Sequence, residues 1–180
     1  IEQFLAMAVG MADSVMVAKV GESAVSAVSL VDSINILIIN VFAALATGGA
    51  VVAGQYIGQK RADKASKAGE QLLVFVTLIS IIIMTVLYIG KDFILNVVFG
   101  QIEPDVAAYS TTYMLIVFSS IPFIAIYNSG AALFRAMGNS KITMIISIVM
   151  NAINVIGNAI LIYGFRRGVE GVAIPTLVSR

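Results

Sequence analysis

The 180 residues contain no histidine, no cysteine and no tryptophan. These absences exclude zinc or haem ligation by His or Cys, a Ser-His or Cys-His nucleophile, and any disulfide. Any chemistry must come from Asp, Glu, Asn, Ser, Thr or Tyr. Charge is scarce as well: 12% of residues are charged against 59% hydrophobic, about half the charged share of an ordinary soluble domain. The net charge of +1 and the scatter of basic residues through short loops imply no nucleic-acid partner.

What is abundant is uninterrupted apolar sequence, with a mean hydropathy of +1.00. Charge-free runs cover residues 33–59, 71–90, 106–134 and 142–165. Each reaches the roughly 20 residues needed to cross the hydrocarbon layer as a helix. The chain therefore reads as an all-α polytopic membrane protein in contact with the lipid bilayer. Residues 1–18 read as a first helix, ended by the turn Lys19 to Glu22. A second starts near Ser23 and runs to about Tyr56, before the basic loop GQKRADK. A third runs from about Ala62 to Ile89, and the short FILNVVFG segment after it is expected at the membrane interface. Pro104 suits the first turn of a fourth helix reaching about Ala136, with Pro122 near its middle as an expected kink and hinge. A fifth runs from about Ser140 to Tyr163, and a sixth follows Gly168. The chain starts at Ile1 in mid-pattern and stops at Arg180 a turn or two into another apolar stretch. The expectation is a piece of a longer protein, a six-helix transmembrane bundle with its first and sixth helices truncated.

Lys60, Arg61, Lys64, Lys67, Arg135 and Lys141 fall on one side, against Lys19, Lys91, Arg166 and Arg167 on the other. The bias puts the GQKRADK loop in the cytoplasm, with the first helix running outward.

A few polar residues do not belong in lipid. Asp13 interrupts a stretch that is otherwise apolar, apart from Ser14, from Phe4 to Ala18; an ionisable group at membrane depth faces a cavity or a partner. The alternative is a position near the outer interface. Asp32, with Ser29 and Asn35 close by, could sit at similar depth on the antiparallel neighbour, lining a water-filled outer vestibule or serving an interfacial role. In the fifth helix, Ser147, Asn151, Asn154 and Asn158 fall within an arc of about 60° at 100° per residue. Asn carbonyl oxygens can coordinate a hard cation, and the amide can hold a neighbouring carboxylate; the plainer reading is hydrogen bonding to adjacent helices. In the second helix, Ala46, Ala50, Gly54 and Gly58 recur every four residues, a ridge that lets another backbone approach closely.

In order and spacing, ADSVMVAKVGESAVSAVSL, GQYIGQKRADKA, LFRAMGNSK and NVIGNAILIYG followed by GVEGVAIPT resemble the amino-terminal half of the multidrug and toxic compound extrusion (MATE) transporters. The resemblance covers essentially the whole chain. It implies that residues 1–180 form one lobe of a two-lobe, twelve-helix transporter. It further implies a secondary active antiporter, a monomer when full-length, that exports cationic amphiphilic compounds across a cell membrane (plasma or bacterial inner) in exchange for Na⁺ or H⁺ by alternating access, without a cofactor. The coupling-ion site, Na⁺ included, would comprise Asp13, Asn154, Asn158 and Thr176, with Ser147 and Asn151 in support. Asn158 stands where some members have Asp, and Pro175 where Ala is usual, so Asp13 is the titratable member. A related flippase for lipid-linked oligosaccharides would share the helix layout but needs cationic residues in its cavity, and the membrane-spanning interiors of helices two to five hold no Lys or Arg. A membrane enzyme is disfavoured by the residue inventory, and a structural membrane subunit by Asp13.

Overall fold

The computed structural model describes residues 2–180, with side chains from Val9 onward. It is built from α1 (Glu2–Ala18), α2 (Glu22–Gly58), α3 (Ala62–Ile89), the single turn α4 (Lys91–Phe93) running into a π-helical turn (Ile94–Val98), α5 (Pro104–Phe118), α6 (Ile121–Ala136), α7 (Ser140–Ala159) extended by a second π-helical turn (Ile160–Gly164), and α8 (Glu170–Ser179). No strand occurs among the described residues. In lipid, a backbone must satisfy its own polar groups, and a helix does so within one segment.

By length and composition α2, α3 and α7 with its extension can each cross a membrane, and α5 with α6 forms a fourth, broken span bent by 45°. Here the expected continuous fourth helix is corrected. Pro122 lies not near the middle of a helix but in the first turn of α6. It lacks an N–H and its ring crowds the carbonyl four residues back, so the helix opens just before it, at Ser119 and Ser120. Hydroxyls donate to carbonyls beside the break. Ser119 Oγ and Tyr88 Oη donate to the Leu115 carbonyl at 2.9 and 2.5 Å, and Ser120 Oγ donates to that of Val117 at 2.6 Å.

Two groups of helices pack side by side. α2 lies against α3, α5 and α6, while α7 lies against α1 and α8. Val31, Phe42, Val76, Met114, Val117, Phe118 and Ile121 are buried in the core shared by α2, α3, α5 and α6. The small-residue ridge works within the bundle: Ala46 and Ala50 pack on Ala132, and a Cβ on Gly54 would sit 3.8 Å from that of Ala136. Gly58, the last residue of the ridge, has no such neighbour. In FILNVVFG, Ile94 and Leu95 are buried while Phe93, Val97 and Val98 are exposed.

Outward faces are apolar. Val74, Leu78, Ile82 and Val86 of α3, and Ile145, Val149, Ile153 and Ile156 of α7, are exposed, whereas Asn154 and Asn158 are buried. That inversion of the soluble pattern is what a lipid solvent selects, because a polar group facing hydrocarbon finds no partner there, whereas one facing the bundle can be hydrogen-bonded.

Candidate functional site

α7 sets the site. Its polar stripe turns inward between α1 and α8, and its approach to α8 depends on Gly157. A Cβ there would lie 2.8 Å from Cβ of Pro175, so hydrogen at this position lets the two backbones close. Asn154, one turn before Asn158, then reaches α8, where its Nδ2 donates to Thr176 Oγ1 at 3.1 Å. Thr176 Oγ1 donates in turn to the Val172 carbonyl at 2.8 Å.

Asn158 joins this chain to α1. Its Nδ2 donates to Asn154 Oδ1 at 3.1 Å and to Asp13 Oδ1 at 2.5 Å. Asp13, Asn154, Asn158 and Thr176, four residues from three helices, thus form one continuous network. With both amide hydrogens engaged, Asn158 Oδ1 is left buried and unpartnered, as is Asn151 Nδ2. Asn158 is fully buried at 0% exposure, where an unpaired carbonyl oxygen is costly unless something else binds it. Chemically, the cluster offers a carboxylate, amide oxygens and a hydroxyl, the oxygen donors that suit a hard monovalent cation, with the carboxylate able instead to take a proton.

A cavity of about 420 Å³ opens beside the network, between the two helix groups. Ser147 and Asn151 line it, as do Asp32 and Asn35 of α2. Asp32 and Asn35 therefore line the same cavity as Asp13, while Ser29 is exposed. Asp32 Oδ1 accepts from Tyr113 Oη of α5 at 3.0 Å. Pro122 does not line the cavity but lies two residues from Ser120, whose Oγ accepts from the lining residue Arg180.

Sequence reasoning missed Arg180. It lines the cavity, and its Nη1 donates to Asn35 Oδ1 at 3.3 Å and Ser120 Oγ at 2.8 Å. An Arg following the apolar stretch VAIPTLVS is the available signal, but charge distribution alone reads basic residues as loop and interface groups. Tyr113 was missed too; one tyrosine in an apolar helix carries no sign of its carboxylate partner. The described residues hold no cluster of three or more acidic, His or Cys side chains that could seat a multivalent metal.

Known proteins agree with this architecture. The family model MatE matches residues 1–160. The uncharacterized transporter YisQ of Bacillus subtilis is 29% identical over 187 residues, an alignment covering 100% of this chain and 40% of YisQ. The probable multidrug resistance protein NorM of Thermotoga maritima is 26% identical, over 99% of this chain and 39% of NorM. In three dimensions, a MOP superfamily transporter from Pyrococcus furiosus superimposes with a TM-score of 0.92 at 20% identity, over 99% of this chain and 39% of that one. The chain thus spans about 40% of the length of the relatives it matches. With a match over most of its residues and the same helix architecture, the chain belongs to the MatE family, whose members are membrane transporters and not enzymes.

Proposed function

We propose that residues 1–180 form the amino-terminal lobe of a secondary active antiporter that exports cationic amphiphilic compounds across a cell membrane in exchange for Na⁺ or H⁺. Asp13 is the exchanging carboxylate, and Asn154, Asn158 and Thr176 supply the surrounding oxygens. The observation that carries this reading is the Asp13–Asn158–Asn154–Thr176 network, half-buried at Asp13 and buried at the other three residues, with its unpartnered Asn158 Oδ1. An ion arriving at Asp13 changes the charge of the cavity wall. It can therefore bias an inward–outward equilibrium only if its affinity differs between the two states. The break at Ser119 and Ser120 beside Pro122 is the proposed bending point, and a second, carboxyl-terminal lobe completes the cavity of a monomer.

A flippase for pyrophosphate-linked lipids fits less well. Among the described cavity-lining residues, two carboxylates face one guanidinium, a balance that repels a polyanion.

The test is gradient-driven export of a cationic dye from vesicles containing the full-length protein, with Na⁺ and proton gradients imposed separately. Asp13→Asn keeps the shape and removes the charge. It is expected to abolish export while the protein is recovered in normal amount, and Asn158→Ala to reduce export in part. Undiminished export by a well-expressed Asp13→Asn protein would remove Asp13 from the mechanism.

A further inference from the structure

The two carboxylates of the cavity are not equivalent. Asp13 accepts from an amide, whereas Asp32 accepts from the Tyr113 phenol and has a fixed cation nearby. Asn35 follows Asp32 by one turn, on the same face of α2. Arg180 donates to Asn35 Oδ1 at 3.3 Å and to Ser120 Oγ at 2.8 Å, so its guanidinium is pinned within about one helical turn of Asp32. The charges of both Asp32 and Asp13 act on it. Asp13, Asp32 and Arg180 are the charged groups among the described residues lining this cavity. With both carboxylates ionised, their formal sum is a single negative charge.

We propose that Arg180 is a specificity-determining residue: by answering Asp32 from the cavity wall, it leaves one carboxylate uncompensated and selects singly over doubly charged cations. This rests on the transport reading above but adds a claim about substrate charge. Arg180 acts here through the field of the cavity. Its fork is held by Asn35 and Ser120, and a second positive charge on a ligand would meet the guanidinium at short range. At an effective dielectric constant of about 20 and a separation of about 8 Å, one unit of charge changes affinity by tenfold or more.

The experiment compares binding of tetraphenylphosphonium, a monocation, and dequalinium, a dication, to the purified full-length protein by equilibrium dialysis. Arg180→Gln is expected to raise the ratio of dication to monocation affinity by about tenfold or more. Asp32→Asn, which brings the sum of charges to zero, is expected to weaken both probes. Asp32→Asn combined with Arg180→Gln restores the single negative charge, and with it monocation binding and the original ratio. A merely structural Arg180 would lower both affinities together and leave their ratio unmoved. An unchanged ratio in Arg180→Gln, or a double variant that binds the monocation no better than Asp32→Asn, overturns the proposal. If Arg180→Gln does not fold, the comparison of Asp32→Asn with the double variant decides alone, because that pair removes both charges together. Failure of the unaltered protein to bind either probe overturns the transport reading as well, and so is distinguishable from failure of the charge rule.

Discussion

Asn158 directs both amide hydrogens at acceptors, Asp13 Oδ1 on α1 and Asn154 Oδ1 on its own helix. It thereby fixes the half-buried Asp13 carboxylate in the cavity wall. A hydrogen bond to a charged group contributes more than a neutral one, and a buried charge that loses its donor bears the full desolvation penalty. Asn158→Leu, which keeps the branching at Cγ but lacks the amide, is therefore expected to destabilise the detergent-solubilised protein by about 2–3 kcal/mol. Adding Asp13→Asn to that background should recover part of the loss, since the stranded charge is gone. Thermal unfolding of the two single variants and the double variant measures the coupling. Strictly additive effects would mean that the two side chains do not depend on one another.

At the scale of elements, α7 and α8 approach because one residue is missing a side chain. A Cβ on Gly157 would meet Pro175 at 2.8 Å, and the proline ring is part of the backbone and cannot swing away. Gly157→Val is expected to push α7 off α8, costing about 1–3 kcal/mol of stability as overpacking does. It should also separate Asn154 from Thr176 and abolish dye export. Gly48 in α2 is the contrast: a Cβ there meets nothing within 4 Å. Gly48→Ala should leave the melting temperature unchanged or slightly raised, because Ala favours helix over Gly. Melting curves of both variants check the pair, and equal destabilisation by the two would show that the α7–α8 approach is not what Gly157 provides. The break between α5 and α6 follows similar logic: Pro122 opens the helix, and Tyr88, Ser119 and Ser120 donate to the Leu115 and Val117 carbonyls beside it.

For the whole molecule, orientation follows from the distribution of basic residues, and the absence of cysteine from these 180 residues makes it directly measurable. In a full-length protein without other reactive thiols, Lys60→Cys and Asn139→Cys are expected to react with an impermeant maleimide in inside-out vesicles but not in intact cells. Glu103→Cys and Arg166→Cys should show the opposite pattern. All four positions are exposed, and labelling of the two pairs from the same side would refute the arrangement. The sequence by itself determined the membrane class, the four long spans and the inward polar face of α7. Hydrocarbon demands long charge-free helices, and a 3.6-residue period places Ser147, Asn151, Asn154 and Asn158 together whatever surrounds them. The order and spacing of its motifs likewise carried the family. Only the tertiary structure decided that Asp13 meets Asn158 and that Arg180 meets Asn35, each pair 145 residues apart in the chain, and that Asp32 shares the cavity of Asp13. The reason is physical. Lipid is as apolar as the side chains it solvates, so hydropathy fixes depth but not how a helix is rotated against its neighbours. That rotation comes from close contacts such as Gly157 on Pro175, which no single segment of the sequence contains.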